Sequence, residues 1–118
     1  MAELRLEDGE LVVELSPLER AEAVHGDVRI PAVDIADVEV LEDVRHAVHG
    51  LKMPGSALRG YFAVGTFYSD KGARKTFAVV HHHTPRGVRV ELHNAEYDEI
   101  VVGADDPEAL VARLLEGH

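Results

Sequence analysis

The sequence has no cysteine and no tryptophan, and only 5% of its 118 residues are aromatic. Without thiols it can form no disulfide, no Cys-based zinc site and no thiolate nucleophile, so its stability has to come from an apolar core. Bases are also scarce: 12 Lys and Arg stand against 22 Asp and Glu, for a net charge of -10. Most of such a surface repels phosphate, which argues against duplex nucleic acid and an anionic membrane as partners. No apolar run approaches the length of a membrane span. The opening Met1-Ala2-Glu3-Leu4-Arg5-Leu6-Glu7-Asp8 also lacks the charged-then-apolar layout of a signal peptide, so a cytoplasmic location is expected. The serines are Ser16, Ser56 and Ser69, and none lies in a Gly-x-Ser-x-Gly setting; no dinucleotide or phosphate-loop glycine pattern occurs either. The carboxylates read as solvated runs with no nameable acid and base pair. These absences lead to the expectation of no catalytic residue, no cofactor and no enzymatic activity.

What is present is ordinary globular composition, 46% hydrophobic and 29% charged. Area scaling for 12.9 kDa gives roughly 6,300 Å² of folded surface from about 18,700 Å² unfolded, enough burial for one domain spanning residues 1–118. No repeat or linker divides it.

Most of the chain alternates or runs in short apolar segments between turn residues, the pattern of strands. Leu4 and Leu6 alternate with charge, and Asp8-Gly9 offers a tight hairpin turn into Leu11 to Leu15. Ser16-Pro17-Leu18-Glu19 carries helix-start chemistry and predicts a short helix over 17–25. Val28 to Ile30 reads as a strand stopped by Pro31, and Ile35 stands out of phase with Val38 and Val40, predicting a tight turn between two strands. Residues 44–60, with Gly50, Pro54, Gly55 and Gly60, read as a long loop. Strands follow at Tyr61 to Tyr68, Lys75 to His82, Val88 to Leu92 and about Asp98 to Val102, with Gly65 marking a bulge or close packing. Asp105-Asp106-Pro107-Glu108 then starts a helix whose Leu110, Val111, Leu114 and Leu115 make an apolar stripe.

These segments resemble bacterial pleckstrin-homology-like domains of the small stand-alone actinobacterial type. The resemblance is carried by Val28-Arg29-Ile30-Pro31 with Ile35 and Val38, by Gly50-Leu51-Lys52-Met53-Pro54-Gly55, by Gly65-Thr66-Phe67 and Gly72-Ala73-Arg74-Lys75-Thr76-Phe77, and by Ile100-Val101-Val102 with Asp106-Pro107-Glu108. It implies a mainly β fold, a partly open antiparallel barrel of about seven strands capped by the C-terminal helix; the order of the segments alone is met equally by two packed sheets with that helix over an open end. It also implies a binding scaffold with no catalytic set.

Charge is unevenly distributed. Residues 1–43 hold 13 acids and three bases, residues 44–90 one acid and eight bases, and residues 91–118 eight acids and one base. Candidate ligand-binding bases in the middle are Lys52, Arg59, Lys71, Arg74, Lys75, Arg86 and Arg89. Read along the expected strands, Lys52 and Arg59 lie at one end of Tyr61 to Tyr68, and Lys71, Arg74 and Lys75 at the other. The two groups are roughly 26 Å apart, well beyond the screening length of about 8 Å at physiological salt. Arg86 and Arg89 are expected at the end far from Gly72. Cancellation of basic strands by acidic neighbours is the simplest reading.

The internal run His81-His82-His83 is the main local oddity. With Thr84 to Gly87 as a hairpin loop, His83 would face Val88 and His81 would face Val90. His81 and His83 would then share one face as two weak metal candidates with no third ligand. The expected function is a binding module for a protein or peptide, with homo-oligomerisation open. Anion or lipid-headgroup binding through the basic middle, and a metal-dependent enzyme using the histidines, are the alternatives.

Overall fold

A computed structural model describes residues 3–17, 27–44, 56–58, 62–69, 74–81 and 84–117. Strands β1 (Glu3–Glu7) and β2 (Glu10–Glu14) form the expected hairpin, with Glu7 opposite Glu10. Asp8 and Gly9 have φ of 51° and 78°, both left-handed. A two-residue turn that matches strand twist requires this, and Asp-Gly tolerates it. Strand β3 (Val28–Pro31) joins the other edge of β2, completing a three-stranded sheet in the order β1-β2-β3. Beyond Pro17, the helix expected over 17–25 lies outside the described residues.

The expected turn after Pro31 is a 3-10 turn, Ala32–Asp34, leading into β4 (Ile35–Leu41). Ile35 and Val38 are both buried although three residues apart, because the ladder to the next strand slips between Ile35 and Asp37. Ala36 is the extra residue of a β-bulge, which restores the phase that simple alternation would lose.

The second sheet contains β4 with β5 (Ser56–Leu58), β6 (Phe62–Ser69), β7 (Arg74–His81), β8 (Gly87–Leu92) and β9 (Glu99–Gly103), in the order β4-β8-β9-β7-β6-β5. Two sequence expectations are corrected here. The stretch 44–60 is not all loop, since Ser56–Leu58 pairs with β6. Nor do β7 and β8 form a hairpin: β9 lies between them, antiparallel to β8 and parallel to β7. Of the two expected architectures, the described strands form the two sheets and not the antiparallel barrel, and β7 and β9 pair in parallel. The reason lies in β9, whose five residues are all buried. A strand apolar on both faces gains most when neighbours flank it on both sides. Gly65, with φ of 131°, sits opposite Ala78 in an unbroken ladder, so it marks a glycine-only backbone angle and not a bulge.

Residues 84–86 cross the C-terminal end of β9 to reach β8. Ala104 N–H donates to the Arg86 carbonyl at 2.9 Å, and a Cβ on Gly103 would stand 3.2 Å from the Thr84 carbonyl oxygen. Between the sheets lies the main core: Leu4, Leu11, Val13, Val28 and Ile30 from the first, and Val38, Phe77, Val79, Val88, Val90, Ile100 and Val102 from the second. The Phe77 and Tyr97 rings meet at 5.3 Å, tilted by 56°. A smaller cluster of Val44, Phe67, Ala78, Val80 and Val101 covers the opposite face of the six-stranded sheet.

Helix α1 (Pro107–Gly117) begins as the sequence implies, with Asp106 Oδ1 accepting the Ala109 N–H at 3.2 Å and Pro107 in the first position. It packs against β1, β4 and β8. Leu110 and Leu114 are buried in the core with Val111 beside them, whereas Leu115 is 58% exposed and leaves the expected stripe.

Candidate binding cleft

The sequence-derived sites resolve unevenly. Lys52, Arg59, Lys71 and His83 lie outside the described residues. His81 is the last residue of β7, opposite Phe62 on β6. It therefore cannot face Val90, because β8 is one strand further away. Among the described residues no three His, Asp or Glu side chains are grouped to hold a metal.

Placing β9 between β7 and β8 also brings Arg74 and Arg89 to the same carboxylates, where the sequence reading had put them at opposite ends. Arg74 Nη2 lies 2.9 Å from Glu99 Oε2 and 3.2 Å from Glu91 Oε1. Arg89 Nε lies 3.3 Å from Glu39 Oε1 and 3.6 Å from Glu99 Oε2. Glu99 is only 7% exposed and also accepts the Thr76 hydroxyl at 2.9 Å. The hydrogen bond to Glu99 holds the Arg74 guanidinium above its ordinary range, against the lowering effect of burial. Two guanidiniums among three carboxylates leave no surplus positive charge for an anion. Lys75 is spent differently, its ammonium 4.8 Å from the centre of the Tyr97 ring.

Arg86 immediately precedes β8 and reaches Glu42, beyond the end of β4, at 3.1 Å and Glu108 in the first turn of α1. Its hydrogen bond lowers the Glu108 carboxyl below the usual 4.5, and Glu108 in turn raises Arg86. A depressed folded-state pKa stabilises the protein above the unfolded pKa, and that contribution is lost as pH falls through the folded value. The Glu108 titration midpoint, followed by carboxyl NMR, is expected to lie below 4.5 and to rise in Arg86→Ala. An unchanged midpoint would remove this clamp between β4 and the helix.

The feature that sequence reasoning missed is a cleft of about 570 Å³ between β1, the end of β9 and α1. One wall is Glu3, Leu4, Arg5 and Leu6; the other is Val102 to Asp106 with Leu110, Arg113 and Leu114. Four consecutive residues of a strand point alternately to opposite faces. All four can line one cleft only when it runs along the edge of the strand, and β1 is the edge of its sheet.

The register identifies which backbone groups that edge offers. Gly9 accepts a hydrogen bond from Ala32, and the Leu15 N–H donates to Asp27, so the odd positions of β2 face the β3 side. Val12 and its even-numbered neighbours therefore face β1. Their partners Glu3, Arg5 and Glu7 are the inward-bonded positions of β1, leaving the N–H and C=O groups of Leu4 and Leu6 directed outward. No described strand pairs with them. The signal was present in the sequence as a short strand at the hairpin's start, but only tertiary placement shows what stands beside it. Comparison of the chain with family models, curated proteins and solved structures gives no significant match.

Proposed function

We propose that the chain is a non-catalytic binding module that takes up an extended peptide by strand addition to the outer edge of β1. The supporting observation is the cleft itself: two outward pairs of backbone groups, on Leu4 and Leu6, beside an apolar wall from Leu110 and Leu114. Main-chain hydrogen bonds supply affinity in this mode, and pockets for alternate side chains supply selectivity. The pleckstrin-homology-like assignment stands in this proposal as a β scaffold with a C-terminal helix over one end; the parallel pair of β7 and β9 departs from an all-antiparallel barrel. Anion or headgroup binding is the weaker reading, because Arg74, Arg86 and Arg89 are already engaged by carboxylates.

Amide exchange followed by NMR tests the proposal. In the free protein, Leu4 and Leu6 amides are expected to exchange rapidly while Arg5 and Glu7 are protected by β2. Peptides selected on the chain from a displayed random library should then protect Leu4 and Leu6. A library yielding no binder, or binders that leave both amides unprotected, would overturn it.

A further inference from the structure

The face of β1 that carries alternating charge reads Glu3, Arg5, Glu7, and Arg5 is surrounded by carboxylates. Its guanidinium lies 3.0 Å from Glu7, 3.2 Å from Glu14 and 3.9 Å from Glu3. Those three carboxylates outnumber the one cation by two charges, and the hydrogen bonds that Arg5 donates to Glu7 and Glu14 already hold it above its ordinary pKa range. Glu3 is the most exposed of the three, with 77% of its side chain accessible, and Glu7 follows at 42%. A strand added along this edge would therefore meet a net excess of negative charge carried by the Glu3 and Glu7 rungs, four residues apart, with Arg5 between them, paired closely to Glu7 and only loosely to Glu3. The intervening rungs are Leu4 and Leu6, which lie on the core side together with the apolar wall of α1.

We infer that the preferred occupant is an extended cationic peptide segment of the pattern basic, apolar, any residue, apolar, basic. Resting on the strand-addition reading above, this assigns its selectivity. The two basic residues would stand opposite Glu3 and Glu7, and the two apolar residues opposite Leu4 and Leu6, entering the cleft toward Leu110 and Leu114. The pattern of β1 is the same read in either direction, so a symmetric peptide meets complementary charge when paired antiparallel about Arg5. A second copy of β1 in that register would set Glu3 against Glu7 and Arg5 against Arg5. Like charges directly opposite disfavour the pair, which blunts the edge against self-association.

The test uses two capped synthetic peptides, one containing Lys-Val-Thr-Val-Lys and the other Glu-Val-Thr-Val-Glu, titrated into the full chain by NMR at low salt. The lysine peptide is expected to protect Leu4 and Leu6 and to bind about tenfold more tightly, as two opposite-charge cross-strand pairs imply. In 1 M salt, where screening acts within about 3 Å, the preference should largely disappear. The double variant Glu3→Lys with Glu7→Lys should favour the glutamate peptide. Equal affinities, or a preference unchanged in 1 M salt, would overturn the inference while leaving strand addition intact. So would failure of both peptides when library-selected binders still protect Leu4 and Leu6. Protection that appears without peptide and rises with protein concentration, together with dimer in sedimentation, would overturn it in favour of a second copy. The salt comparison uses the unaltered chain and so does not depend on the variant folding.

Discussion

Leu114→Ala is expected to destabilise the protein by about 2 to 5 kcal/mol, as removal of a large side chain from a packed site does. Leu114 is 2% exposed and joins the helix to the core between the sheets. Total stabilities of such domains are about 5 to 15 kcal/mol, so the loss is a large fraction of the whole and should appear as a fall of roughly 8 to 20 °C in Tm. Chemical denaturation provides the measurement. A change below about 0.5 kcal/mol would mean that α1 is not docked, and the cleft would then lack one wall. Leu115→Ala, one residue away and exposed, is the internal control and should cost little.

Gly87→Ala is expected to cost about 3 kcal/mol or more, at the upper end for added atoms in a packed site. A Cβ built on Gly87 would stand 2.2 Å from the Val102 carbonyl oxygen and 2.5 Å from Val44 Cγ1. Val44 Cγ1 is one methyl of a side chain buried in the second cluster, and Val102 O belongs to the backbone of β9, paired on both sides, so the obstacle cannot give without disturbing two ladders. Tolerance of alanine, read from the same denaturation curves, would show that β8 and β9 are less closely joined at this end.

Local chemistry made much of this fold readable. Asp8-Gly9 has the residues that a two-residue hairpin demands, Asp106-Pro107 the residues that start a helix, and Ile35 against Val38 the phase break that the bulge absorbs. Strand order was not readable, because alternation in β7 and β8 is equally satisfied whether they pair with each other or with a third strand. The decisive datum was burial of β9 on both faces, and the all-apolar Ile100-Val101-Val102 hinted at it without naming its neighbours. The ion network followed the same rule: Arg74 and Arg89 are 15 positions apart in sequence, and only the insertion of β9 brings Glu99 between them. The cleft was the least legible feature, since it depends on what faces the edge of β1 and not on any residue type.

The position of β9 also bears on how the chain is made. Strands β7 and β8 leave the ribosome before the strand that separates them, and until β9 arrives each has an unpaired edge on its apolar central side. At roughly 5 to 20 residues per second, the interval between His81 and Gly103 lasts on the order of one to four seconds. During that interval a direct β7–β8 hairpin is the most local pairing open to the nascent chain, because the two strands are joined by a short connection. Correct assembly therefore requires that this pairing be weaker than the one that replaces it. The short crossing over Gly103, with its close approach to Thr84, makes the native arrangement reachable without a long detour. Slowed translation through residues 82–98 should then lengthen exposure of the β7 edge and increase aggregation of the newly made chain.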